Sequence, residues 1–506
     1  MMIDWAVWTF ETIFCMVFAT ILNWRAEYWA RYQFLTAAAR PNYTPSKTTP
    51  GVSRASALFI FLVMALVAAP IMSTLITSLL GPGELAPGIS AAEFQERRRR
   101  LAAAMPRDSV AVLPATATAY MTGVIPYPHR QDADFLYLTG LDQPGSVAVV
   151  HGQTGELTLF VPTPDATREL WDGARVSAAA AASEFGASEV HLMRDLPRLL
   201  PDLLRGTRAV YYDADKHAKG ELGRWAPREL GFAEATHRPL RGADARAALE
   251  KRALMARSAA VAEAGLLAAM RADRAGSPGE RHLAADFEAR CRRAGAARLA
   301  YPSVVASGAD ACTIHYSRND KPLRDGDLLL FDGGCELHGY CSDVTRTWPL
   351  GGAFSPAQRD AYDLVHGVQA ALLAWCRPGM TLRQLHERSV RLVCEGLVDL
   401  RLAPSLPLAR AAYRAFYPHS VGHWLGMDTH DTPSVSHDRP LEPGVHLTIE
   451  PGLYVPDDER FGALAGIGVR IEDVVRINDT AECTVLSQSM PTDAQSIEDY
   501  LARARQ

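Results

Sequence analysis

No CxxC and no regular cysteine spacing occurs among the eight cysteines of this 506-residue chain, which argues against a disulfide framework and leaves any metal to be bound by other residues. There is no excess of basic charge either. Lys and Arg number 52 against 57 Asp and Glu, a net of -5, so no overall field exists to gather nucleic acid. No GxGxxG follows a strand pattern and no GxxxxGK[ST] is present, so nothing supports nucleotide binding. Short-period repeats are absent, and no long apolar run follows residue 80. With 48% hydrophobic and 22% charged residues, 37 Gly and 32 Pro, the chain matches neither disordered, collagenous nor coiled-coil composition. Its length fits two large domains or three ordinary ones.

What is present begins with a region of different character at residues 1–80. Residues 57–80 are apolar and uncharged and long enough to cross a hydrocarbon core, even with Pro70 inside, so a transmembrane helix is expected there. Residues 6–22 form a shorter candidate that carries Glu11. Between them Arg25, Arg31, Arg40, Lys47 and Arg54 outnumber Glu27, which keeps that loop on the cytoplasmic or matrix side if both runs span. The first ten residues are acidic and lack an early Arg, unlike a matrix-targeting peptide.

Gly81-Pro82-Gly83 and Pro87-Gly88 make residues 81–87 a linker. An α/β domain is expected over 88–245. Ser90 with Glu93 is a capping-box pattern, and Phe94, Leu101 and Met105 recur at helical spacing. Arg97 to Arg100 then lie on that helix, read as a solvated face balanced by Glu93 and Glu96. Segments 110–113, 135–138, 147–150, 157–161 and 209–212 read as strands, alternating with Ala-rich helix such as 177–185. A long periodic helix at 245–274 leads into a second domain at 246–490. Ser277-Pro278-Gly279-Glu280 restarts a helix through Arg293, and 491–506 forms a tail.

Chemistry concentrates after residue 300. Leu328-Leu329-Leu330-Phe331-Asp332-Gly333-Gly334 is an apolar strand ending in an acid, and Asp343-Val344-Thr345-Arg346-Thr347 is a strand begun by one. A hairpin centred between Leu337 and His338 sets Asp332 opposite Asp343 on one face. Two carboxylates so close repel unless one is protonated or a cation intervenes. His423 in His-Ser-Val-Gly-His-Trp-Leu-Gly, Glu450 in Leu-Thr-Ile-Glu-Pro-Gly-Leu-Tyr, and Arg470 and Glu472 in Gly-Val-Arg-Ile-Glu-Asp extend the group, the last two sharing a strand face. One imidazole and four carboxylates make a hard, oxygen-rich site for two divalent ions such as Mn²⁺, Co²⁺, Fe²⁺ or Zn²⁺. Such a pair can hold a hydroxide and stabilise a tetrahedral intermediate.

In order, Ile314-His315-Tyr316, Phe331-Asp332-Gly333-Gly334, Asp343 to Thr347, His419 to Asp431, Thr448 to Tyr454 and Gly468 to Asp473 resemble aminopeptidase P, the Xaa-Pro aminopeptidases of the pita-bread fold. The resemblance covers residues 88 to about 490. It implies a creatinase-like α/β N-terminal domain and an α+β pita-bread catalytic domain, here preceded by the hydrophobic membrane segment. It implies two divalent ions per chain, Mn²⁺ expected and Co²⁺, Zn²⁺ or Fe²⁺ as alternatives. Asp332 would chelate one ion, Asp343 bridge both or bind the second, His423 cap the first, and Glu450 and Glu472 complete the shells. Glu450 would also orient the hydroxide and take its proton. His315 and His430 resemble the histidines that handle the oxyanion and leaving nitrogen, and His419 the one lining the proline pocket. Tyr454 and Arg470 would position substrate or support the ligands, and 129–132 would reach a neighbouring subunit or serve as a plain loop. His338, Cys335 and Cys341 are read as structural.

The activity so implied is removal of one N-terminal residue from a peptide or protein, preferentially where proline follows. Single-residue trimming of cleaved precursors without a proline requirement is the alternative, and a non-catalytic peptide-binding protein a further one. Thr429 departs from the usual branched apolar residue before His430. Pro82-Gly83-Glu84 and Glu169-Leu170-Trp171-Asp172-Gly173 resemble the mitochondrial branch. The expectation is therefore a membrane-associated mitochondrial enzyme, another endomembrane being the alternative. It would be a homo-oligomer, in the first place a dimer, with no nucleic-acid partner.

Overall fold

The computed structural model describes residues 80–81, 83–212, 252–272 and 279–504, and the backbone alone at 237–238. The two apolar runs lie outside the described residues, apart from Leu80. Among the described residues no helix is long and apolar enough to cross a membrane.

A six-stranded mixed sheet organises the first part. It is built from β1 (Ser109–Pro114), β2 (Val147–His151), β3 (Leu157–Val161), β4 (Glu189–Leu192), β5 (Ala209–Tyr211) and β6 (His237–Arg238), in the order β6-β5-β1-β2-β3-β4. Alternation decides its two faces. Ala111, Leu113, Ala148 and Val150 pack with Phe94 and Leu101 of α1 (Ala91–Ala104), while Val110, Val112, Val147 and Val149 pack with Leu196 and Leu200 on the other side. Both faces are covered, which is why 110–113 of β1 and 147–150 of β2 are apolar at successive positions rather than at every second one.

Three expectations for this part need correction. Residues 135–138 are not a strand but the middle of helix α2 (Ala133–Thr139): the Asp132 carboxylate accepts from Phe135 N at 2.9 Å, and Gly140 ends the helix at φ 73°. A four-residue apolar run carries no decisive period, so the cap and the C-terminal glycine settle it. Ser90 caps α1 without a side-chain hydrogen bond, and Glu93 lies 3.4 Å from Arg97. The four arginines do not share one solvated face. Arg99 and Arg100 are exposed beside Glu96, but Arg97 and Arg98 are buried, donating to the carbonyls of Tyr137 and Leu138 at 2.8 Å each. Those carbonyls end α2, where unsatisfied acceptors and the negative end of the helix dipole favour a cation. Burial pulls Arg98 down to about 10.

The second part begins with α3 (Arg252–Ala272) and α4 (Glu280–Arg293), which pack together, followed by α5 (Pro356–Trp375) and α6 (Leu382–Asp399). Its strands are β7 (Arg298–Leu299), β8 (Val304–Ser307), β9 (Leu328–Gly333), β10 (Cys335–Leu337), β11 (Tyr340–Cys341), β12 (Val344–Pro349), β13 (His446–Ile449), β14 (Gly452–Tyr454), β15 (Gly468–Arg470), β16 (Asp473–Ile477) and β17 (Cys483–Val485). They form sheets β8-β9-β12, β7-β10-β11, β13-β16-β17 and β14-β15. The hairpin turn consists of His338 and Gly339, both at positive φ (51° and 83°), the backbone of a two-residue turn of primed type. It is therefore centred one position later than expected. Leu337 pairs Tyr340, and Asp332 pairs Thr345 rather than Asp343. Because the register moves by two residues, both aspartates stay on the same face. Gly334 permits the close approach between them: a Cβ there would stand 1.9 Å from the Ser342 carbonyl oxygen.

Candidate active site

Asp332 lies in β9, Asp343 just before β12, Glu450 just after β13 and Glu472 between β15 and β16, so each acid sits at or near a strand end beside a neighbouring sheet. Backbone pairing brings the sheets together there. Glu472 N donates to Thr345 O at 3.0 Å, Thr448 N to His423 O at 3.0 Å, and Glu450 N to Val421 O at 2.8 Å. Gly422 makes room for this last contact, since a Cβ would stand 2.0 Å from Thr448 O.

Ligand atoms of Asp343, His423 and Glu472 all fall within 4.8 Å of one another, a spacing that one cation can bridge. His423 Nε2 is 3.4 Å from Asp343 and 3.6 Å from Glu450. Its Nδ1 is 3.0 Å from Trp424 O, so the Nδ1 proton is committed to the backbone and Nε2 faces the acids. Asp332 joins through Tyr301, whose hydroxyl bonds both Asp332 and Asp343. Arg470 reaches three partners: Nη2 donates to Asp332 at 2.6 Å, Nη1 to Tyr454 Oη at 2.9 Å and Nε to Thr345 Oγ1 at 3.1 Å. Thr345 Oγ1 donates in turn to Glu472 at 2.6 Å. Arg470 and Glu472 thus meet on one side, as their two-residue spacing requires.

The electrostatics are those of too many negative charges out of water. Burial raises Asp332 to about 6 against the pull of Arg470, the Asp343 charge adding to the rise. Burial likewise raises Glu450 to about 7, with His423 and Arg470 opposing. Glu472 is pushed well above the carboxylate range by burial and by Asp343 and Glu450. Only Asp343 is lowered: burial would raise it, but hydrogen bonds from His423 and Tyr301 prevail. Burial alone would lower His423, yet its bond to Asp343 and the Glu450 charge hold it up to about 9. Burial and mutual repulsion raise three of these four carboxylates, and a hard oxygen-and-imidazole donor set of this charge fits divalent metal.

The remaining histidines stand around this cluster. His430 is exposed, with its ring centroid 4.3 Å from that of His423, and is lowered by burial of its inner face, then by the His423 charge. His315 is exposed, and its charge contributes to lowering both His419 and His430. His419 is lowered to about 3 by burial and then by Arg470; its Nδ1 is 2.7 Å from Ser420 O and its Nε2 2.8 Å from Tyr454 Oη. Arg130 is tied within its own chain, to Glu336 at 2.7 Å, Met427 O at 2.7 Å and Asp428 at 3.0 Å. Cys335 and Cys341 are buried, and none of the described cysteines forms a disulfide. Sequence reasoning missed Tyr301 altogether, and it gave Thr345 and Thr448 no role. A tyrosine before Pro302 has no distinguishing pattern, and its part emerges only when its hydroxyl meets two acids from a distant hairpin.

Residues 253–479 match the model of metallopeptidase family M24, and residues 94–211 that of the aminopeptidase P N-terminal domain. The mitochondrial intermediate cleaving peptidase 55 of Arabidopsis thaliana is 41% identical over 438 residues, covering 84% of this chain and 85% of the relative. Xaa-Pro aminopeptidase 3 of Homo sapiens is 36% identical over 454 residues, covering 84% and 89%. Among solved structures, aminopeptidase P from Escherichia coli with the inhibitor Pro-Leu superposes with a TM-score of 0.75 at 33% identity, covering 82% of this chain and 99% of that one. Carrying both domains and this degree of identity along nearly their whole length, the chain belongs to metallopeptidase family M24, with the two-domain organisation of aminopeptidase P.

Proposed function

We propose that the protein removes the N-terminal residue from peptides or protein N-termini, preferentially where proline follows, with two divalent ions held by Asp332, Asp343, His423, Glu450 and Glu472. The observation that carries this reading is the buried cluster itself: ligand atoms of Asp343, His423 and Glu472 lie within 4.8 Å of one another, Glu450 is 3.6 Å from His423, and Asp332 is joined to Asp343 through the Tyr301 hydroxyl. Packing alone gives no reason to gather four acids around a single arginine. Bound divalent ions would supply a nucleophilic water near neutral pH and electrostatic pull on the scissile carbonyl. Mn²⁺ is the ion proposed first, with Co²⁺, Zn²⁺ or Fe²⁺ as alternatives.

The chain's own groups do the rest. Glu450, beside the His423 ring at 3.6 Å, takes the proton of the attacking water. His430 and His315, on the open side, donate to the oxygen that gains charge and to the departing nitrogen. His419 stays neutral, its Nδ1 turned to Ser420, and so presents an uncharged wall to a proline ring. Tyr454 and Arg470 hold Asp332 and His419 in place.

The name of the Arabidopsis relative favours a second reading, single-residue trimming of precursors without a proline requirement. Incubating metal-loaded protein with matched Xaa-Pro and Xaa-nonPro peptides separates the two. Faster release ahead of proline supports the first, equal rates the second, and no release from either overturns the peptidase proposal.

The same proposal divides the chain at 245/246, with a linker at 81–87 and a tail at 491–506, and places it in mitochondria, supported by the two family matches and by that relative's name. Membrane association rests on runs 6–22 and 57–80 alone. Full-length protein should resist alkaline carbonate extraction, whereas a chain lacking 1–80 should be extracted and keep its activity. Exposed Val124, Leu170 and Trp171 favour a homo-oligomer, most simply a dimer, since apolar surface of this kind is normally covered.

A further inference from the structure

The loop between Ser307 and Lys321 carries His315, and one buried carboxylate grips it at three points. Glu280 opens α4 and has no exposed surface. Its Oε1 accepts from Ser307 N at 2.9 Å and Ser307 Oγ at 2.7 Å, and its Oε2 from Tyr316 Oη at 2.9 Å and Lys321 N at 3.0 Å. Ser307 ends β8, Tyr316 directly follows His315, and Lys321 lies at the far end of the loop. Four donors on two oxygens use the acceptor capacity of an ionised carboxylate, which is what makes the acid tolerable there. An acid needed only to complement the helix dipole would do so equally well facing solvent.

The rest of the loop is anchored to match. Asn319, at φ 46°, accepts from Val305 N at 2.9 Å and donates to Ser303 O at 2.8 Å. Lys321 pairs with Asp310. The Tyr316 ring packs with Val304, Ala306, Leu330 and Tyr454, and the Tyr454 hydroxyl bonds both Arg470 and His419. His315 is thus an exposed side chain on a backbone clamped on both sides.

We propose that Glu280 is a positioning residue for the peptidase reaction: by holding Ser307, Tyr316 and Lys321 together it fixes where His315 stands relative to His419 and His430. The inference rests on the role given to His315 above. Glu280→Gln keeps the shape but turns an amide NH₂ toward groups that are themselves donors, so the loop should shift while the distant ligands stay in place.

The test is a double-mutant cycle on the metal-loaded full-length chain, combining Glu280→Gln with His315→Ala and reading kcat, KM and metal content on an Xaa-Pro peptide. Glu280→Gln alone should lower kcat by about tenfold or more, since a displacement of order 1 Å in a catalytic group is costly, with KM and metal content little changed. In the His315→Ala background the same substitution should change kcat by about twofold or less, because its effect passes through the missing imidazole. Equal losses in both backgrounds, or a loss of metal, would overturn the positioning role. If Glu280→Gln does not fold, Tyr316→Phe removes one of the four donors and is read in the same cycle by the same criteria. A His315→Ala enzyme that turns over normally overturns the role of His315 itself and this inference with it; impaired His315→Ala with additive Glu280→Gln overturns the inference alone.

Discussion

Arg470 meets Asp332 at 2.6 Å with both side chains buried, and among the described residues it and His423 are the cations paired with the acids of this cluster. Replacing Arg470 by Met leaves Asp332 beside Asp343 without that counter-charge. Breaking a buried pair in this way costs about 3–5 kcal/mol. Urea unfolding of metal-free protein should show a loss of that size at pH 8 and a smaller one at pH 5, where Asp332 takes up a proton instead. A loss independent of pH would mean that Arg470 serves packing rather than charge.

Asp343→Asn preserves size and leaves the strand register intact but removes the only acid of the four that stays below its ordinary range. Activity should fall sharply and recover in part at high added Mn²⁺, because occupancy of a weakened site follows metal concentration. Elemental analysis beside a peptide-cleavage assay checks it. Two ions per chain with unchanged turnover would sink the role given to Asp343.

His430 stands against the His423 ring at 4.3 Å without belonging to the acid cluster. His430→Ala should therefore retain metal while its rate falls by about 10²–10⁴, the usual contribution of a proton-transfer or charge-stabilising partner. Normal turnover would remove His430 from the mechanism.

Metal removal should destabilise the protein in a pH-dependent way. Asp332 and Glu450 titrate at about 6 and about 7 when folded against 3.8 and 4.5 ordinarily, so in that interval the metal-free fold binds more protons than the unfolded chain. Its stability from these groups is therefore present at low pH and lost as pH rises through the folded values. His419, at about 3 against 6.5, acts in the opposite sense, losing stability as pH falls below 6.5. The gap in melting temperature between metal-loaded and EDTA-stripped protein should widen from about pH 5 to about pH 8. A constant gap would argue against these carboxylates holding the ions.

Much of the site's chemistry was legible because it is written at short range. Asp332 and Asp343 lie on one hairpin and Arg470 and Glu472 two residues apart, and strand alternation is enough to put such pairs on shared faces, whereas His423 and Glu450 were tied to them only through the family's motifs. The shift of the hairpin centre to His338-Gly339 did not move either aspartate off its face, since a two-residue shift preserves parity. Strands 147–150 and 157–161 were equally plain, being short runs of almost wholly apolar residues.

Tertiary structure decided what depends on partners far along the chain. Arg97 is buried because Tyr137 O and Tyr340 Oη wait for it 40 and 243 residues away, and nothing in a run of four arginines says which two will be enclosed. Tyr301 joins the acids only after β9 and β12 have paired, and Glu280 grips the His315 loop only once α4 has packed behind β8. Local spacing determines which groups can face the same way. Burial and long-range hydrogen bonding determine which of them meet, and those follow from packing that no single segment contains.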